Sequence, residues 1–482
     1  MKRLTIKWAW VAGVSLLLGA CGGGVDAEGN PIAVEPLAGA TPQGVCGPGS
    51  RPEPGMQGRV SQEDHDSGRA AEGYTCNAEL VGEFFERNPI GTVGGFKVER
   101  YVDKAGHECA YYDTTLVVGT NLFDGEAGVN VLDMSDPANP VRTARLITPA
   151  MLSPHESLVV SQEAGVLAAV LGTPAFGPGA VDVYDLEPDC RKPKLRGLGL
   201  LSGILGHESG LSPDGKTFYS SSPGTPTLTA VDITSKLTPR RIKTFPYRSH
   251  GLSISDDGNR AYLAFGSKNY QPSQGVLILD VSEIQARKPD PQVYEVGRVT
   301  WPEQTIPQNA IPFTRDGKPF LLEIDEYSAN DGLIASHGRK VGAGRIIDIS
   351  DETRPVVISN LRLAVHEPEN RDEIGKDPGA RMIAQGYAGH YCNIPTRVNP
   401  DIAACSMIVS GLRVFDIRDP YNPREVAYFN APVKPRLVQV PVLLEPSNWA
   451  MSSPSFVPQR KEIWYSDGFS GFYAVRLTNG VW

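Results

Sequence analysis

Beyond residue 20 the chain has no apolar run long enough to cross a bilayer as a helix, which argues against a helical membrane-spanning protein. It has no surplus of positive charge either. Its 46 Lys and Arg face 55 Asp and Glu, the formal charge is −9, and no basic stripe carries interleaved aromatics. Nucleic acid is therefore not an expected partner. No helical pattern of about 10–15 residues alternates with the strand-like segments, which disfavours a parallel α/β fold. The Gly-x-Ser-x-Gly elbow, the phosphate-binding loop, His-Glu-x-x-His and the dinucleotide fingerprint are all missing, so the hydrolase, nucleotide-binding and zinc-protease classes they mark lose their usual signal.

The one marked apolar run comes first. Lys2, Arg3 and Lys7 precede thirteen apolar residues, Trp8 to Ala20. That is too short for a stable spanning helix and has the charge and length of a signal peptide. It ends in Leu18-Gly19-Ala20-Cys21, which resembles a bacterial lipobox and implies lipidation of Cys21. The expected organisation is a lipoprotein signal peptide over 1–20, a Gly/Pro-rich and partly disordered tether over 21–77, and a folded body over 78–482. The protein is expected to be exported and held to the bacterial membrane by its lipid, at the outer membrane if the cell is Gram-negative. Loss of the three N-terminal cations takes the mature chain to about −12, which gives lipid headgroups no polybasic attachment.

Cysteine is scarce: seven residues, of which Cys21 is assigned to the lipid. The other six, in an oxidising compartment, predict three disulfides out of fifteen connectivities. Cys392 and Cys405 flank an expected hairpin and are expected to pair. Cys46 and Cys76 are candidates to pin the tether, while Cys109 is left between Cys76 and Cys190.

The body is organised by a repeated sentence. GLRVFDIRDPYNP from Gly411 combines a glycine entry, period-two apolar alternation, a strand-end Asp and a Pro/Asn turn. It recurs from Gly128, Gly179, Leu228, Gly275 and Gly344, and in worn form, without the Asp, from Gly471. The aligned residues Asp133, Asp185, Asp232, Asp280, Asp348 and Asp416 are spaced 52, 47, 48, 68 and 68 apart. A unit of about 45–50 residues holds four short strands, one propeller blade. Asp214-Gly215, Asp257-Gly258 and Asp316-Gly317 supply the hairpin between first and second strands. Seven units start near His107, His155, His207, His250, Asn309, His390 and Ser452. The prediction is an all-β, seven-bladed β-propeller whose last blade is completed by an N-terminal strand at about 78–86, abolishing free edges. The repeated Asp is expected to satisfy backbone N–H groups at its turn. These motifs resemble the LVIVD-repeat β-propeller family, mostly extracytoplasmic, over roughly residues 78–477; that resemblance implies the fold far more than a function.

Five of eight histidines, His107, His155, His207, His250 and His390, stand at unit starts, and Glu108, Glu156 and Glu208 follow three of them. First strands line a propeller's channel, so these side chains are expected to converge at one mouth. One reading is a ring of transition-metal ligands for Fe, Cu or Zn, with the glutamates orienting the imidazoles. In outline this looks like the propeller histidines of carotenoid cleavage oxygenases and selenium-binding methanethiol oxidases, though no further motif of either is present. The other reading is structural, favoured by Asn309 and Ser452 at two of the seven positions. The functional expectation is a ligand- or partner-binding propeller at the channel mouth, with a metal-dependent oxidoreductase as the alternative. His366 is expected in a surface loop, and Trp449 and Tyr391 either on the channel wall or in the core.

Overall fold

The computed structural model describes residues 39–482 except 87–92, 115–126, 173–178, 236, 266–273, 302–304, 331–332, 336, 382–385 and 436–446. The signal segment and Cys21 lie outside the described residues. Seven antiparallel sheets follow one another along the chain, forming a seven-bladed β-propeller. Their innermost strands are Val98–Val102, Val159–Ser161, Glu208–Leu211, Leu252–Ile254, Ile306–Arg315, Tyr391–Asn393 and Ser455–Val457, in blades one to seven. Contacts between neighbouring innermost strands lead from blade seven through blade one to blade six, and Ser406 Oγ donates to the Ser452 carbonyl at 2.6 Å to join six to seven.

The repeated motif forms the third strand of each of the first six blades, as in Leu228–Asp232 and Leu412–Asp416. Its alternation buries side chains on both faces, since each blade is packed between two others. Tyr111 and Val131 of blade one share a buried cluster with Leu167 and Ala169 of blade two. Each such apolar side chain contributes about 1.5–3 kcal/mol. At the strand ends Asp133, Asp232, Asp280, Asp348 and Asp416 accept the N–H two residues on at 2.8–2.9 Å, the expected capping role. Gly215, Gly258 and Gly317 take φ of +64°, +77° and +77°, which the Asp-Gly hairpins require. In every blade the pairing of third with fourth strand carries a bulge, which sharpens the twist that lets blades splay around an axis.

Ring closure follows the expectation. Ala78–Phe84 runs antiparallel to Gly471–Leu477, from Ala78 opposite Leu477 to Phe84 opposite Phe472. Of the stretch read as a partly disordered tether, residues 39–77 are instead folded, and 21–38 lie outside the described residues. Tyr74–Cys76 adds a fifth strand to blade six, and the Cys46–Cys76 disulfide ties the segment to itself. The buried Arg413 of blade six binds Glu53 of the segment and its own Glu425. The other disulfides are Cys392–Cys405, as expected, and Cys109–Cys190, which resolves the open alternative. Three disulfides are consistent with an exported protein in an oxidising compartment. No helix among the described residues is long and apolar enough to cross a membrane.

Candidate metal centre at the channel mouth

Four of the five predicted histidines are brought together. Each sits just before or at the entry to an innermost strand, so four blades contribute one imidazole each: His155 (blade two), His207 (three), His250 (four) and His390 (six). His207 Nε2 and His250 Nε2 are 2.9 Å apart. The imidazoles of His155 and His207 have centroids 4.2 Å apart, and Phe96 of blade one packs against His155 at 4.2 Å and His390 at 5.3 Å.

His107 is not among them. Blade one begins earlier than the histidine spacing suggested, with Val98–Val102, so His107 falls on the hairpin between first and second strands. There its Nδ1 bonds Asp103 Oδ2 at 2.8 Å, beside Asp189 at 3.9 Å. Glu108 goes with it, pairing with Arg100 and Arg460.

Glu156 is the centre of the cluster. Its Oε2 lies 3.1 Å from His207 Nε2 and 3.4 Å from His250 Nε2; its Oε1 lies 3.4 Å from His390 Nε2 and 3.8 Å from His155 Nε2. A second carboxylate, Glu326, comes from the end of the second strand of blade five, Lys318–Glu326. Its Oε1 is 3.5 Å from His250 Nε2 and its Oε2 3.3 Å from His390 Nε2. Sequence reasoning missed Glu326. The available signal was that blade five replaces histidine by Asn309 while carrying Glu323, Asp325 and Glu326 on one strand.

Glu208 plays a different part. Lys97 Nζ bonds its Oε1 at 3.2 Å and Asn309 Nδ2 bonds the same oxygen. Its carboxylate still approaches Glu156 and His250, their ligand atoms lying within 4.8 Å of one another. Lys97, Asn309 and Tyr391 also line a cavity of about 380 Å³ between the innermost strands, which continues away from the histidines past Glu99 to Arg397. Tyr391 is thus on the channel wall, with Lys97 Nζ 4.3 Å from its ring centroid, whereas Trp449 is in the core. His366, expected in a surface loop, is fully buried in the segment that leads from blade five to blade six, its Nδ1 accepting Leu363 N–H at 3.2 Å.

Local structure holds the ligands in place. His155 follows Pro154 with φ +53°, a strained backbone for a non-glycine residue. Gly172 permits it, since a Cβ there would lie 2.8 Å from His155 Cβ and 2.7 Å from the Pro154 carbonyl. His390 Nδ1 is 2.6 Å from the Met451 carbonyl and donates to it, which leaves Nε2 as the nitrogen that ligates once its proton is lost. His390 and His250 are 0% and 5% exposed, His155 and His207 13% and 12%, so the cluster opens to solvent on the side of blades two and three.

Electrostatics favour the ligating forms at His155, His250 and Glu156, while the nearby carboxylates raise His207 and His390 and burial raises Glu326, so an ion entering on that side displaces protons. Burial, then neighbouring His207, push His155 well below the ordinary imidazole value, and burial takes His250 down to about 3. Burial opposes charge on Glu156, yet His250, His207 and His155 hold it well below the usual carboxylate range. His390 is also opposed by burial but is held up to about 9 by Glu156 and Glu326, while burial lifts Glu326 to about 7.

The residues present fit a metal ion. Neutral imidazole and ionised carboxylate are the ligating forms. Glu156 Oε2 and His390 Nε2 are buried without an aligned hydrogen-bond partner, despite their close neighbours. Two nitrogens bound cis on one octahedral ion lie about 3.0 Å apart at ordinary metal–nitrogen distances, close to the His207–His250 separation.

No family model matches the chain, and no curated protein matches it. Among solved structures it is similar to the Kuenenia stuttgartiensis hydrazine synthase, at 13% identity and TM-score 0.50, over 82% of this chain and 99% of that one. A Bacteroides fragilis protein described as a candidate 6-phosphogluconolactonase is similar at 10% identity and TM-score 0.46, covering 78% and 87%. A chain of the mitotic checkpoint complex follows at 11% and 0.47, covering 83% and 93%. The first likeness is one of fold alone.

Proposed function

We propose that this propeller is an exported metalloprotein whose axial cluster holds a transition-metal centre and offers it to a small ligand at the channel mouth, as a metal-dependent oxidoreductase. The observation that carries this reading is the convergence of four imidazole Nε2 atoms, from four different blades, on the two oxygens of Glu156. Imidazole with carboxylate suits iron, copper or zinc. His155, His207, His250 and His390 would hold the metal together with Glu156 and Glu326. Bound there, the metal supplies Lewis acidity and, if iron or copper, redox capacity. Glu208, pinned by Lys97 and Asn309, underlies the site, Phe96 walls it, and the opening beside His155 and His207 admits the ligand.

The test is metal analysis of the purified protein beside a His207→Ala/His250→Ala double variant. Stoichiometric metal in the parent and its loss in a folded variant support the reading. A metal-free parent with no affinity for added Fe(II), Cu(II) or Zn(II) overturns it. The remaining alternative is a metal-free binding propeller, which the 380 Å³ axial cavity favours.

The proposal extends to the chain start: Cys21 carries a lipid and tethers the protein to the bacterial membrane, in keeping with the LVIVD-repeat resemblance. The mass of the N-terminal peptide from membrane-extracted protein decides this.

A further inference from the structure

We infer that the centre is built for two metal ions bridged by Glu156 and Glu326, not for one. This rests on the proposed metal-binding role and concerns how the ligands divide. Each carboxylate presents its two oxygens to different histidines. Glu156 turns Oε2 toward His207 and His250 and Oε1 toward His390 and His155. Glu326 turns Oε1 toward His250 and Oε2 toward His390. The ligands therefore fall into two halves. One comprises His207, His250, Glu156 Oε2 and Glu326 Oε1; the other His155, His390, Glu156 Oε1 and Glu326 Oε2. Each half offers two imidazole nitrogens and two carboxylate oxygens, and the same two carboxylates join both. Bridging of this kind suits ions about 3.5–4 Å apart.

A single ion uses this arrangement poorly. Placed among His207, His250 and Glu156 Oε2, it uses one oxygen of each carboxylate and leaves Glu156 Oε1 and Glu326 Oε2, with the His390 imidazole they face, without a part in the centre. Two ions satisfy both oxygens of each carboxylate. Glu208 adds no charge to this account, because Lys97 neutralises it at 3.2 Å. Two divalent ions with two carboxylates carry a net charge of +2, which makes the exogenous ligand class anionic. A hydroxide or an oxygen-donor anion entering beside His155 and His207 supplies the balance.

The experiment is titration of chelator-stripped full-length protein with Co(II), followed by gel filtration and metal counting, with electron paramagnetic resonance on the loaded sample. The expected result is two Co(II) per chain with the signal per ion strongly reduced by magnetic coupling. Glu326→Gln, confirmed folded by circular dichroism, is expected to relieve that coupling, and His107→Ala to keep both ions. Saturation at one ion overturns the inference and leaves the metal-binding function standing. Two uncoupled ions, or loss of one in His107→Ala, also overturn it, placing the second ion at the Asp103–His107–Asp189 hairpin. No bound ion at all overturns both readings.

Discussion

Glu326 of blade five meets His390 of blade six at the channel mouth, Oε2 to Nε2 3.3 Å. Blade five has no histidine at its inner entry, yet it supplies a ligand from the end of its second strand. The strand end is fixed from behind. Asp325 accepts Trp301 Nε1–H at 3.1 Å and Thr305 Oγ–H, and Arg345 spans Asp325 and Glu323 at 3.1 and 2.8 Å. Glu326 is thereby aimed at the axis while its neighbour is locked on the opposite side of the strand.

Glycine 251, next to His250, has no room for a side chain. A Cβ there would lie 1.8 Å from Glu208 Oε2 and 2.3 Å from the Gln308 carbonyl, the latter being backbone. Gly251→Ala is expected to destabilise by about 1–3 kcal/mol, to displace Glu208, and to weaken metal retention. Denaturant midpoints with parallel metal counting check it.

Glu53 holds the N-terminal segment to blade six through the fully buried Arg413, whose guanidinium also stacks 4.4 Å from the Tyr428 ring centroid. Glu53→Ala leaves Arg413 with one carboxylate, Glu425 at 3.1 Å, and the Ser410 carbonyl at 2.8 Å. Breaking such a buried pair costs about 3–5 kcal/mol. The readout is limited proteolysis: cleavage within residues 39–77 should appear in the variant well before the blades are cut.

Glu99 lines the axial cavity, and burial pushes its carboxyl up to about 7, with Lys97 opposing. A folded-state value above the unfolded one means that the folded protein binds more protons between about pH 4.5 and 7. Stability contributed by this group therefore falls as pH rises through that window and is level above it. Glu99→Gln removes the effect. The variant should match the parent near pH 4 and exceed it by about 1–3 kcal/mol at pH 8, measured by urea unfolding at several pH values.

The disulfides should rank by the loops they close. Cys109–Cys190 closes an 81-residue separation between blades one and two, Cys392–Cys405 only 13 within blade six. Chain-entropy reasoning gives about 4.5 kcal/mol for the first and about 3 for the second. The Cys109→Ala/Cys190→Ala protein should melt at the lower temperature of the two double variants.

The blades were legible because their signals are local. Alternation, a strand-end Asp whose carboxylate caps its own turn, and Asp-Gly hairpins all act within a few residues, and the closing strand at 78–84 followed from counting an odd strand at each end. His155, His207, His250 and His390 were legible from their phase in the repeat. His107 was misplaced because Gly106-His107-Glu108 mimics a unit start, whereas the true inner strand lies just before it. Glu326 escaped because the only hint within blade five, Asn309 in place of histidine beside a strand with three acids, does not say which acid faces the channel; the convergence of several blades does. Residues 39–77 escaped for a similar reason. Their Gly/Pro-rich composition describes local freedom, while their order comes from Arg413, Cys46–Cys76 and pairing with Arg424–Asn430, all invisible to a local reading.

The seam between Ala78–Phe84 and Gly471–Leu477 also sets the timetable of folding. Almost the whole body separates these partners, so Ala78–Phe84 waits without its neighbour until Gly471–Leu477 is synthesised. Its short length and the outward carboxylates of Glu79 and Glu83 suit it to that interval, because charge on an orphan strand discourages pairing with another molecule. The circle is locked by two strands from opposite ends of the propeller, so the mouth to which four blades contribute takes its final form only after both have been made.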